Sequence, residues 1–541
     1  MRNYWFIPRP KRHLNSVPKV LAVIATTALE VQWKGNRDVH LAVEEALENA
    51  EIKRKGDRRD QGGSGGRTYI SWIKSLGLLF EYKKNILKLT LAGESVLKDK
   101  FPCEVIKNQV LKFQFPSNYS VSPHVDVNKR FKIHPFIFLL RILDNKTIEY
   151  LTQDEIAYII ILHAENETDS CFEKVCNRII DYRNNRNDYL DNEDFSLYQT
   201  TKGKGRAENP QKHLDDIANT IINWLEYTQL AKRDEDKKLR ILDEKREEVH
   251  FHLSKQLPFI DRPEDEDFFQ RKYGLDTKHS KDTRNLAGTQ TITDTMIVEQ
   301  KIKTAFISLS LRKPISGISK ELVEEIAKRI GVEKNKIEDY LMKAYPHGAI
   351  DSFMYEYFEM AFKGREDATE FEKATAVLFH DIFHYNAKHI GPMGLTPDVL
   401  LISDSDGYQA VIDNKAYSKY DLPSDHRNRM IHNYIRRINN FSDSEFPLAF
   451  FTYIAGGFCS NINSKIKIIS DESSVNGSAI TVLRFIELIK QHRDTPFTHS
   501  ELRTIFSLNR EIRNGDFTKY SSKQPVLPAV ASNISSSYCK K

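Results

Sequence analysis

Two stretches of the N-terminal half share one pattern of apolar positions. In residues 69–97, apolar side chains recur at helical spacing as far as Gly77, where the helical period stops. The following letters NILKLTLAG alternate between apolar and polar positions, which predicts strands, and AGESVLKD restarts a helix. The pattern therefore predicts a helix, a short hairpin and a second helix, which is the order of elements in winged-helix units.

The same pattern returns in residues 221–249. Trp72 corresponds to Trp224, and Leu87 corresponds to Leu239, always at a separation of 152 positions and without a gap. We interpret the two stretches as copies of one module. The alternative is that unrelated helix–hairpin pairs also give apolar matches of this kind.

Two basic stretches could contact a phosphate backbone. Residues 173–190 predict a helix with an apolar face and basic positions along and after it, which makes them a helix-turn-helix candidate. Residues 52–67 are basic and glycine-rich, so they form either a flexible arm along DNA or a solvated linker. The candidate DNA-binding residues are Lys53, Arg54, Lys55, Arg58, Arg59, Arg67, Arg178, Arg183 and Arg186.

Polar stretches divide the chain into candidate domains. Residues 255–300 are polar and broken, and residues 319–345 are strongly helical, which together predict a linker with helical segments. The predicted domains are 1–105 and 106–255 for two winged-helix-like recognition units, 256–345 for the linker, 346–520 for an α/β domain and 521–541 for a flexible tail.

The last third of the chain has the pattern of an α/β domain. Residues 369–383 predict an amphipathic helix with one apolar face. Two apolar runs then flank the turn letters DSDG, which predicts two strands joined by a tight antiparallel turn. Further on, residues 447–458 predict another strand, and residues 479–489 predict a strand followed by a helix.

Three chemically active residues lie at the ends of the two apolar runs. Asp398 stands just before the first run, and Asp413 and Lys415, which face the same side of a strand, end the second. Two neighbouring carboxylates repel each other unless a cation lies between them, and Mg²⁺ needs only one or two carboxylates together with phosphate oxygens. A lysine beside them can orient water or neutralise charge on a phosphodiester, and the Asn414 carbonyl could be a further ligand. The alternative is that these are solvated residues at strand ends.

Composition and charge limit the class of protein. The chain has 541 residues, 40% of them hydrophobic and 29% charged, as in soluble globular proteins with several domains. No apolar run reaches the roughly 20 residues of a membrane span, and the N-terminus lacks a secretory signal, so we expect a cytoplasmic protein without a membrane partner. A net charge of +5 permits double-stranded DNA as a partner but does not require it.

Longer motifs resemble known nuclease families. The letters DNKAYSKYDLP, MIHNYIRRIN and FFTYIAGGF resemble the cleavage domain of FokI-type restriction endonucleases, in the PD-(D/E)XK superfamily, over roughly residues 345–515. The letters KVLAVIATTALEVQWKG, HPFIFLLRIL, LTQDEIAYIIIL and IIDYRNNR resemble the recognition region of the AlwI family of type IIS enzymes. The resemblances imply a multidomain α/β protein, with a mostly helical, winged-helix-type DNA-recognition region and a C-terminal PD-(D/E)XK nuclease α/β domain.

The resemblances also imply a function in restriction–modification. They imply a site-specific type IIS restriction endonuclease that hydrolyses DNA outside its recognition site with Mg²⁺. Asp398, Asp413 and Lys415 would be its catalytic residues, and the two aspartates its metal ligands. Glu372 matches a helical glutamate that sometimes supports the metal site in this superfamily, and the alternative for Glu372 is a solvated or structural role.

One helix departs from the FokI-type pattern. The family carries an Asp and an Arg that pair between two nuclease domains, and Asn428 and His432 occupy these positions here. We therefore expect a weak dimer helix, with Met430 and Ile431 among its apolar contacts, and a transient homodimer on DNA. The alternatives are a strand-specific nicking endonuclease of the same fold and a catalytically silent winged-helix DNA-binding protein.

Overall fold

A computed structural model of the protein describes residues 2–56, 61–97, 102–121, 127–198, 209–234, 236–286, 294–310, 314–315, 317–345, 348–364, 368–391 and 395–519. These residues form two compact units, and the boundary lies between Glu356 and Tyr357. It is close to the boundary predicted between residues 345 and 346. Within the described residues, no helix is long and apolar enough to cross a membrane.

The first unit is mainly helical. Its helices are α1 (Val17–Thr27), α2 (Arg37–Asn49), α3 (Ser64–Ser75), α4 (Leu91–Leu97), α5 (Pro102–Leu111), α6 (Pro135–Leu143), α7 (Gln153–Glu155), α8 (Ile161–His163), α9 (Asp169–Asn184), α10 (Arg186–Asn192), α11 (Pro210–Tyr227), α12 (Arg246–Ser254), α13 (Glu266–Tyr273), α14 (Asp294–Ser310), α15 (Lys320–Ile330) and α16 (Lys334–Ala344). A π-helical segment, Ile156–Ile160, joins α7 to α8. Its strands are β1 (Leu79–Tyr82), β2 (Ile86–Leu89), β3 (Ala231–Arg233) and β4 (Leu239–Ile241).

The two predicted modules are present as helix–hairpin–helix units. The first consists of α3, β1, β2 and α4, and the second of α11, β3, β4 and α12. The antiparallel registers of the two hairpins correspond. Leu79 pairs with Leu89 in the first hairpin, and Ala231 pairs with Ile241 in the second, each 152 positions further along the chain.

The correspondence extends to side chains and backbone angles. Trp72 and Trp224 are both fully buried, and in each the indole Nε1 lacks a hydrogen-bond partner among the described residues. Gly77 and Gln229, which stand 152 positions apart, both have left-handed backbone angles, with φ of +67° and +60°. The structure therefore confirms the internal repeat, while the finer assignment to the winged-helix class stays a prediction.

The two modules share one hydrophobic core. This core includes buried side chains from both predicted recognition domains, 1–105 and 106–255. Across the predicted boundary, the rings of Phe6 and Phe115 meet edge-on in this core at a centroid distance of 5.4 Å. The predicted boundary at residue 105 falls inside α5, so it does not separate two cores.

The predicted linker, residues 256–345, contains packed structure. α14, α15 and α16 lie against one another around a small core of their own. Phe306, Ile326 and Leu341 are fully buried in this core. Apolar faces on consecutive helices therefore pack against each other here, and the described residues between 302 and 345 are folded rather than an extended connector.

The second unit is an α/β domain. The boundary between the units lies within α17 (Ile350–Met360), and the further helices are α18 (Ala368–Asp381), α19 (Ser424–Asn428), α20 (Ile462–Ser473), α21 (Val482–Asp494), α22 (His499–Phe506) and α23 (Asn514–Thr518). α19 continues directly as a π-helix, Arg429–Ile435. The strands are β5 (Asn386–His389), β6 (Val399–Ser403), β7 (Tyr408–Lys415), β8 (Leu448–Ala455), β9 (Asn476–Thr481) and β10 (Arg510–Glu511).

The six strands form one mixed sheet in the order β10-β9-β8-β7-β6-β5. Neighbours from β5 to β7 pair antiparallel, and neighbours from β7 to β10 pair parallel. On one face, Leu400, Val411 and Tyr453 pack with residues of the π-helix and α20. α18 covers the opposite face, where Asn414 Nδ2 donates to Thr375 Oγ1 at 2.7 Å. The predicted α/β class is confirmed, and the edge strands β5 and β10 are additions that the sequence pattern did not predict.

Candidate active site

Asp398 is the residue before β6 and lies opposite the end of β7. The two strands pair with Val399 opposite Ile412, so the next pair outward is Asp398 with Asp413. The backbone N–H of Asn414 donates to Asp398 Oδ2 at 2.6 Å. The neighbouring strand therefore fixes this carboxylate at the start of β6.

Asp413 and Lys415 are two positions apart at the end of β7 and point to the same face of the sheet. Lys415 Nζ lies 2.8 Å from Asp413 Oδ2 and also donates to the Asn414 carbonyl oxygen at 3.1 Å. Asp413 is 3% exposed, and the side chain of Lys415 is 15% exposed. The structure thus brings the predicted residues Asp398, Asp413 and Lys415 together at one end of the buried strands.

The three charged groups alter one another's ionisation. Burial raises the pKa of Asp398 well above its usual value of 3.8, and repulsion from Asp413 raises it further. Burial alone would lower the pKa of Lys415, but attraction to Asp413 and Asp398 outweighs burial and raises it. Lys415 is therefore held as a cation in contact with Asp413, and a further cation would relieve the repulsion between Asp413 and Asp398.

The available oxygens fit a divalent cation that takes few protein ligands. Asp413 Oδ1 is buried and has no hydrogen-bond partner among the described residues. Within the same residues, no three His, Cys, Asp or Glu side chains form a metal cage. An ion here would be held by Asp398 and Asp413 and by oxygens of water or phosphate, which suits Mg²⁺. The Asn414 carbonyl oxygen accepts one hydrogen bond from Lys415, and its role as a further metal ligand stays a prediction.

Glu372, on α18, lies near the site but has another partner. Its Oε2 lies 2.9 Å from His389 Nε2, and its side chain is 16% exposed. The charge of Glu372 also raises the pKa of Asp398, although burial and the charge of Asp413 are larger causes. The contact with His389 supports the structural alternative for Glu372, and a role at a metal ion stays a prediction.

Sequence reasoning missed a group of tyrosines around Asp413. Tyr420, Tyr434 and Tyr453 belong to the core on this face of the sheet, and for each of them burial and then the charge of Asp413 raise the pKa. Tyr453 pairs with Asp413 in the parallel register of β7 and β8. The sequence carried little signal for this group, because tyrosines within apolar strands and helices are ordinary core residues.

The predicted dimer helix, α19 with the following π-helix, turns its apolar residues inward. Met430 and Ile431 are fully buried in the core of their own domain, so the prediction that they contact a partner is wrong. The reason is that the apolar face of an amphipathic helix packs on the nearest apolar surface, which here is the sheet. Asn428 and His432 are exposed on the outer side of the helix.

Among the predicted DNA-binding arginines, Arg183 is engaged inside the protein. Its guanidinium donates to Glu155 Oε1 at 2.6 Å and to the carbonyl oxygens of Ile148 and Tyr150 at 3.0 and 2.7 Å. Glu155 is 1% exposed, so the carboxylate of this ion pair is buried. These contacts occupy the donors of Arg183 and correct the prediction that it binds phosphate.

The other predicted DNA-binding residues differ in exposure. Lys53 Nζ lies 3.1 Å from Glu44 and 3.2 Å from Glu48, and its side chain is largely covered. Arg58 and Arg59 lie outside the described residues. The residues exposed to solvent are Arg54, Lys55, Arg67, Arg178 and Arg186. DNA contact by these exposed residues stays a prediction.

Two family models match this chain. The model of the FokI cleavage domain matches residues 331–513, which contain the whole candidate site. The model described as the N-terminal part of restriction endonuclease BpuJI matches residues 2–284, more than half of the chain. A comparison with curated proteins gives no match.

Solved structures give weaker likenesses. The structure of restriction endonuclease FokI matches with a TM-score of 0.28 and 13% identity, over 95% of this chain and 100% of that chain. FokI bound to DNA matches with a TM-score of 0.28 and 15% identity over the same shares. The BpuJ1 endonuclease binding domain, in complex with pyrene- and phenanthrene-modified DNA, matches with a TM-score of 0.34 and 16% identity, over 50% of this chain and 97% of that chain. At such TM-scores these likenesses carry no argument of their own.

The assignment therefore rests on the family models, which place a recognition part before a cleavage part as the sequence patterns predicted. Together they support a type IIS restriction endonuclease, a hydrolase that acts on DNA. The resemblance to the AlwI family is a finer statement and stays a prediction. Because the longer match covers more than half of its residues, the chain belongs to the restriction endonuclease family defined by the BpuJI N-terminal domain.

Proposed function

We propose that the protein is a site-specific type IIS restriction endonuclease that hydrolyses DNA outside its recognition site and requires Mg²⁺. The observation that carries this proposal is the convergence of Asp398, Asp413 and Lys415 at the ends of two adjacent strands. Two crowded carboxyl groups are costly in a fold unless a ligand uses them, and one of them has a buried oxygen for which the described part of the chain offers no hydrogen-bond partner.

Each residue of the set has a defined part in the reaction. Asp398 and Asp413 would hold the metal ion, which when bound stabilises charge on the phosphate and lowers the pKa of coordinated water. The Asn414 N–H keeps Asp398 in place and Lys415 keeps Asp413 in place, so the site is organised before DNA arrives. The raised pKa of Lys415 makes it a poor general base, and we assign it the donation of hydrogen bonds to the attacking water or to a phosphate oxygen.

The division of the chain supports cleavage outside the recognised sequence. The match to the BpuJI N-terminal part ends at residue 284, and the residues of the catalytic set begin at Asp398. Side chains that read bases and side chains that attack the phosphodiester would thus belong to different parts of the protein. The bases that are read and the bond that is cut then need not coincide.

Incubation of the full-length protein with supercoiled plasmid and Mg²⁺ tests the proposal. Linear DNA is the expected product, open circles would favour the nicking alternative, and unchanged plasmid would favour the catalytically silent alternative. A chelator should abolish cleavage. Sequencing of the product ends should place the cuts at a fixed distance from one sequence, and ends scattered without such a sequence would contradict the type IIS assignment.

One catalytic set cannot cut two antiparallel strands at once, so we propose that a second copy joins it on DNA. The contact would use the exposed side of α19 and the π-helix, where Asp425 and Arg429 lie 3.5 Å apart and high local concentration on DNA favours association. Double-strand cleavage should then rise faster than linearly with enzyme concentration, and Arg429→Glu should shift the products towards open circles. Double-strand cutting that is strictly first order and unaffected by Arg429→Glu would contradict the homodimer.

A further inference from the structure

A row of tyrosines leads from Asp413 to the protein surface. Tyr453 pairs with Asp413 across β7 and β8, and its ring centroid lies 6.0 Å from that of Tyr420. The ring of Tyr420 lies 5.8 Å from that of Tyr417, with 23° between the ring planes. Tyr453 is fully buried, whereas Tyr417 is 44% exposed. The row therefore ends in a solvent-exposed aromatic ring on the side of the sheet that carries the catalytic set.

The backbone around Tyr417 is fixed by hydrogen bonds and by close packing. The Tyr417 N–H donates to the Lys415 carbonyl at 2.8 Å, and the Tyr417 carbonyl accepts from the Gly457 N–H at 3.1 Å. Gly457 permits this approach because a Cβ atom there would lie only 2.3 Å from the carbonyl oxygen of Ser418. The backbone of Tyr417 is therefore held in place two residues after Lys415.

The supporting ring of Tyr420 is fixed as well. Its hydroxyl forms a hydrogen bond with His426 Nδ1 at 2.7 Å, and its ring meets Phe458 edge-on at a centroid distance of 6.3 Å. Tyr417 thus rests on a rigid aromatic base, with one face covered and the rest of the ring open. A single exposed ring is ordinary on a protein surface, but a ring that is supported on one face and follows a catalytic lysine by two residues is suited to position a substrate.

We propose that Tyr417 is a positioning residue that packs against the deoxyribose next to the scissile phosphate. This inference rests on the proposed endonuclease function. A sugar is the expected partner because Tyr420 already covers one face of the ring, and a ring cannot enter between two bases unless both of its faces are free. Every nucleotide presents the same C–H groups of deoxyribose, so the contact would be independent of sequence.

Steady-state cleavage by the full-length protein tests the inference, on a duplex whose cut position has been mapped. Tyr417→Ala should raise KM for DNA by about tenfold and leave kcat nearly unchanged, because the ring contacts the substrate away from the reacting atoms. Tyr417→Phe keeps the ring and should behave as the wild type. Phe446→Ala is the matched control, since Phe446 is also an exposed ring, 36% accessible, and lies before the start of β8 at the opposite end of the strands.

An abasic nucleotide, tetrahydrofuran, next to the cut separates sugar packing from base stacking. Sugar packing predicts that Tyr417→Ala raises KM by the same factor on the abasic duplex and on the ordinary duplex. If Tyr417→Ala raises KM on the ordinary duplex but not on the abasic duplex, the ring contacts the base and the inference is wrong. The inference is also wrong if Tyr417→Ala cleaves both duplexes with the wild-type KM. A wild-type protein that cleaves no DNA would overturn the proposed function itself, and this inference with it.

Discussion

Asp413 is buried, yet one of its carboxylate oxygens has no hydrogen-bond partner among the described residues. A residue with only a packing role would be unfavourable in this state, because a buried polar atom without a partner destabilises the fold. Asp413→Asn keeps the shape of the side chain but removes the charge that would hold a metal ion. We expect plasmid cleavage to fall by about 1000-fold or more, because the metal ion supplies several kcal/mol of charge stabilisation. Gel-shift affinity for the recognised duplex should stay near the wild-type value.

Thermal unfolding adds a second measurement for Asp413→Asn. Mg²⁺ should raise the Tm of the wild type, because a ligand that binds only the folded state stabilises it, and should leave the Tm of the variant unchanged. Loss of DNA binding comparable to the loss of cleavage, in a variant that remains folded by circular dichroism, would contradict the separation of recognition from catalysis.

At the scale of single residues, the sequence was informative where the signal was local. Asp398, Asp413 and Lys415 could be found because polar residues at the ends of two neighbouring apolar runs are visible in a short stretch. The place of Met430 could not be predicted in this way. An amphipathic pattern shows which side chains are apolar, but not whether their own sheet or a second molecule covers them.

At the scale of elements, the ion pair of Arg183 with Glu155 links α9 to the last residue of α7. The Glu155 side chain is 2% exposed, so removal of Arg183 would leave a buried carboxylate without its cation. We expect Arg183→Ala to destabilise the protein by about 3–5 kcal/mol, which calorimetric unfolding would detect as a lower Tm. Arg186→Ala is the control, because Arg186 is 60% exposed and surface pairs contribute about 1 kcal/mol or less. Weaker DNA binding by Arg183→Ala at unchanged stability would instead restore the predicted phosphate contact.

α21 carries a histidine that should make the second unit sensitive to acid. His492 is 7% exposed and accepts a hydrogen bond from the Phe497 N–H at 3.0 Å. Burial lowers the pKa of His492 from 6.5 to about 4. Because the folded-state pKa is lowered, the unfolded chain binds the proton first, so stability is full above pH 6.5 and is lost as the pH falls towards 4. The loss should reach about 3 kcal/mol.

Unfolding at a series of pH values checks the role of His492. His492→Gln should lose less stability between pH 6.5 and pH 4 than the wild type does. His432→Gln is the matched control, since His432 is exposed on the same unit. Equal acid sensitivity of the wild type and His492→Gln would assign the effect to other groups.

The inner strands of the sheet were predictable and its edges were not. β6, β7 and β8 are buried over almost their whole length and each contains a run of apolar residues, because both faces of a central strand are covered. β5 has exposed and half-buried positions with the polar letters NAKH, and β10 has only two residues. Edge strands are often short and polar, which limits unwanted pairing with other chains, and the same properties hide them from a periodicity argument.

At the scale of the whole molecule, binding to DNA should depend steeply on salt, because basic side chains release counterions from the phosphate backbone. Arg54 and Lys55 are exposed and lie near the start of the basic arm of residues 52–67. Replacing both by alanine should lower the slope of log affinity against log salt by about 2. Lys334→Ala with Lys336→Ala is the control pair, with side chains 58% and 64% exposed in the same unit. An unchanged slope would exclude the arm from the interface.

The two-part organisation of the chain could be predicted, but the number of cores in its first part could not. Composition and periodicity identify elements, and motifs around Asp413 mark where the nuclease lies. Whether the two predicted recognition domains share a core depends on side chains that are distant in sequence, such as Phe6 and Phe115. Similarly, the sequence pattern of residues 256–345 predicts separate helices, because a local pattern does not show that their apolar faces pack together.

The 152-residue offset between the two helix–hairpin–helix modules has an evolutionary consequence. The hairpins keep one register, and Gly77 and Gln229 keep one backbone angle although their side chains differ. Such agreement arises when a segment is duplicated and its copies diverge by substitution, without insertion or deletion between the matched positions. One copy of a duplicated module can acquire new exposed side chains while the other copy keeps the original contacts with the ligand. The chain could thereby reach new specificities through intermediates that never lost a working copy.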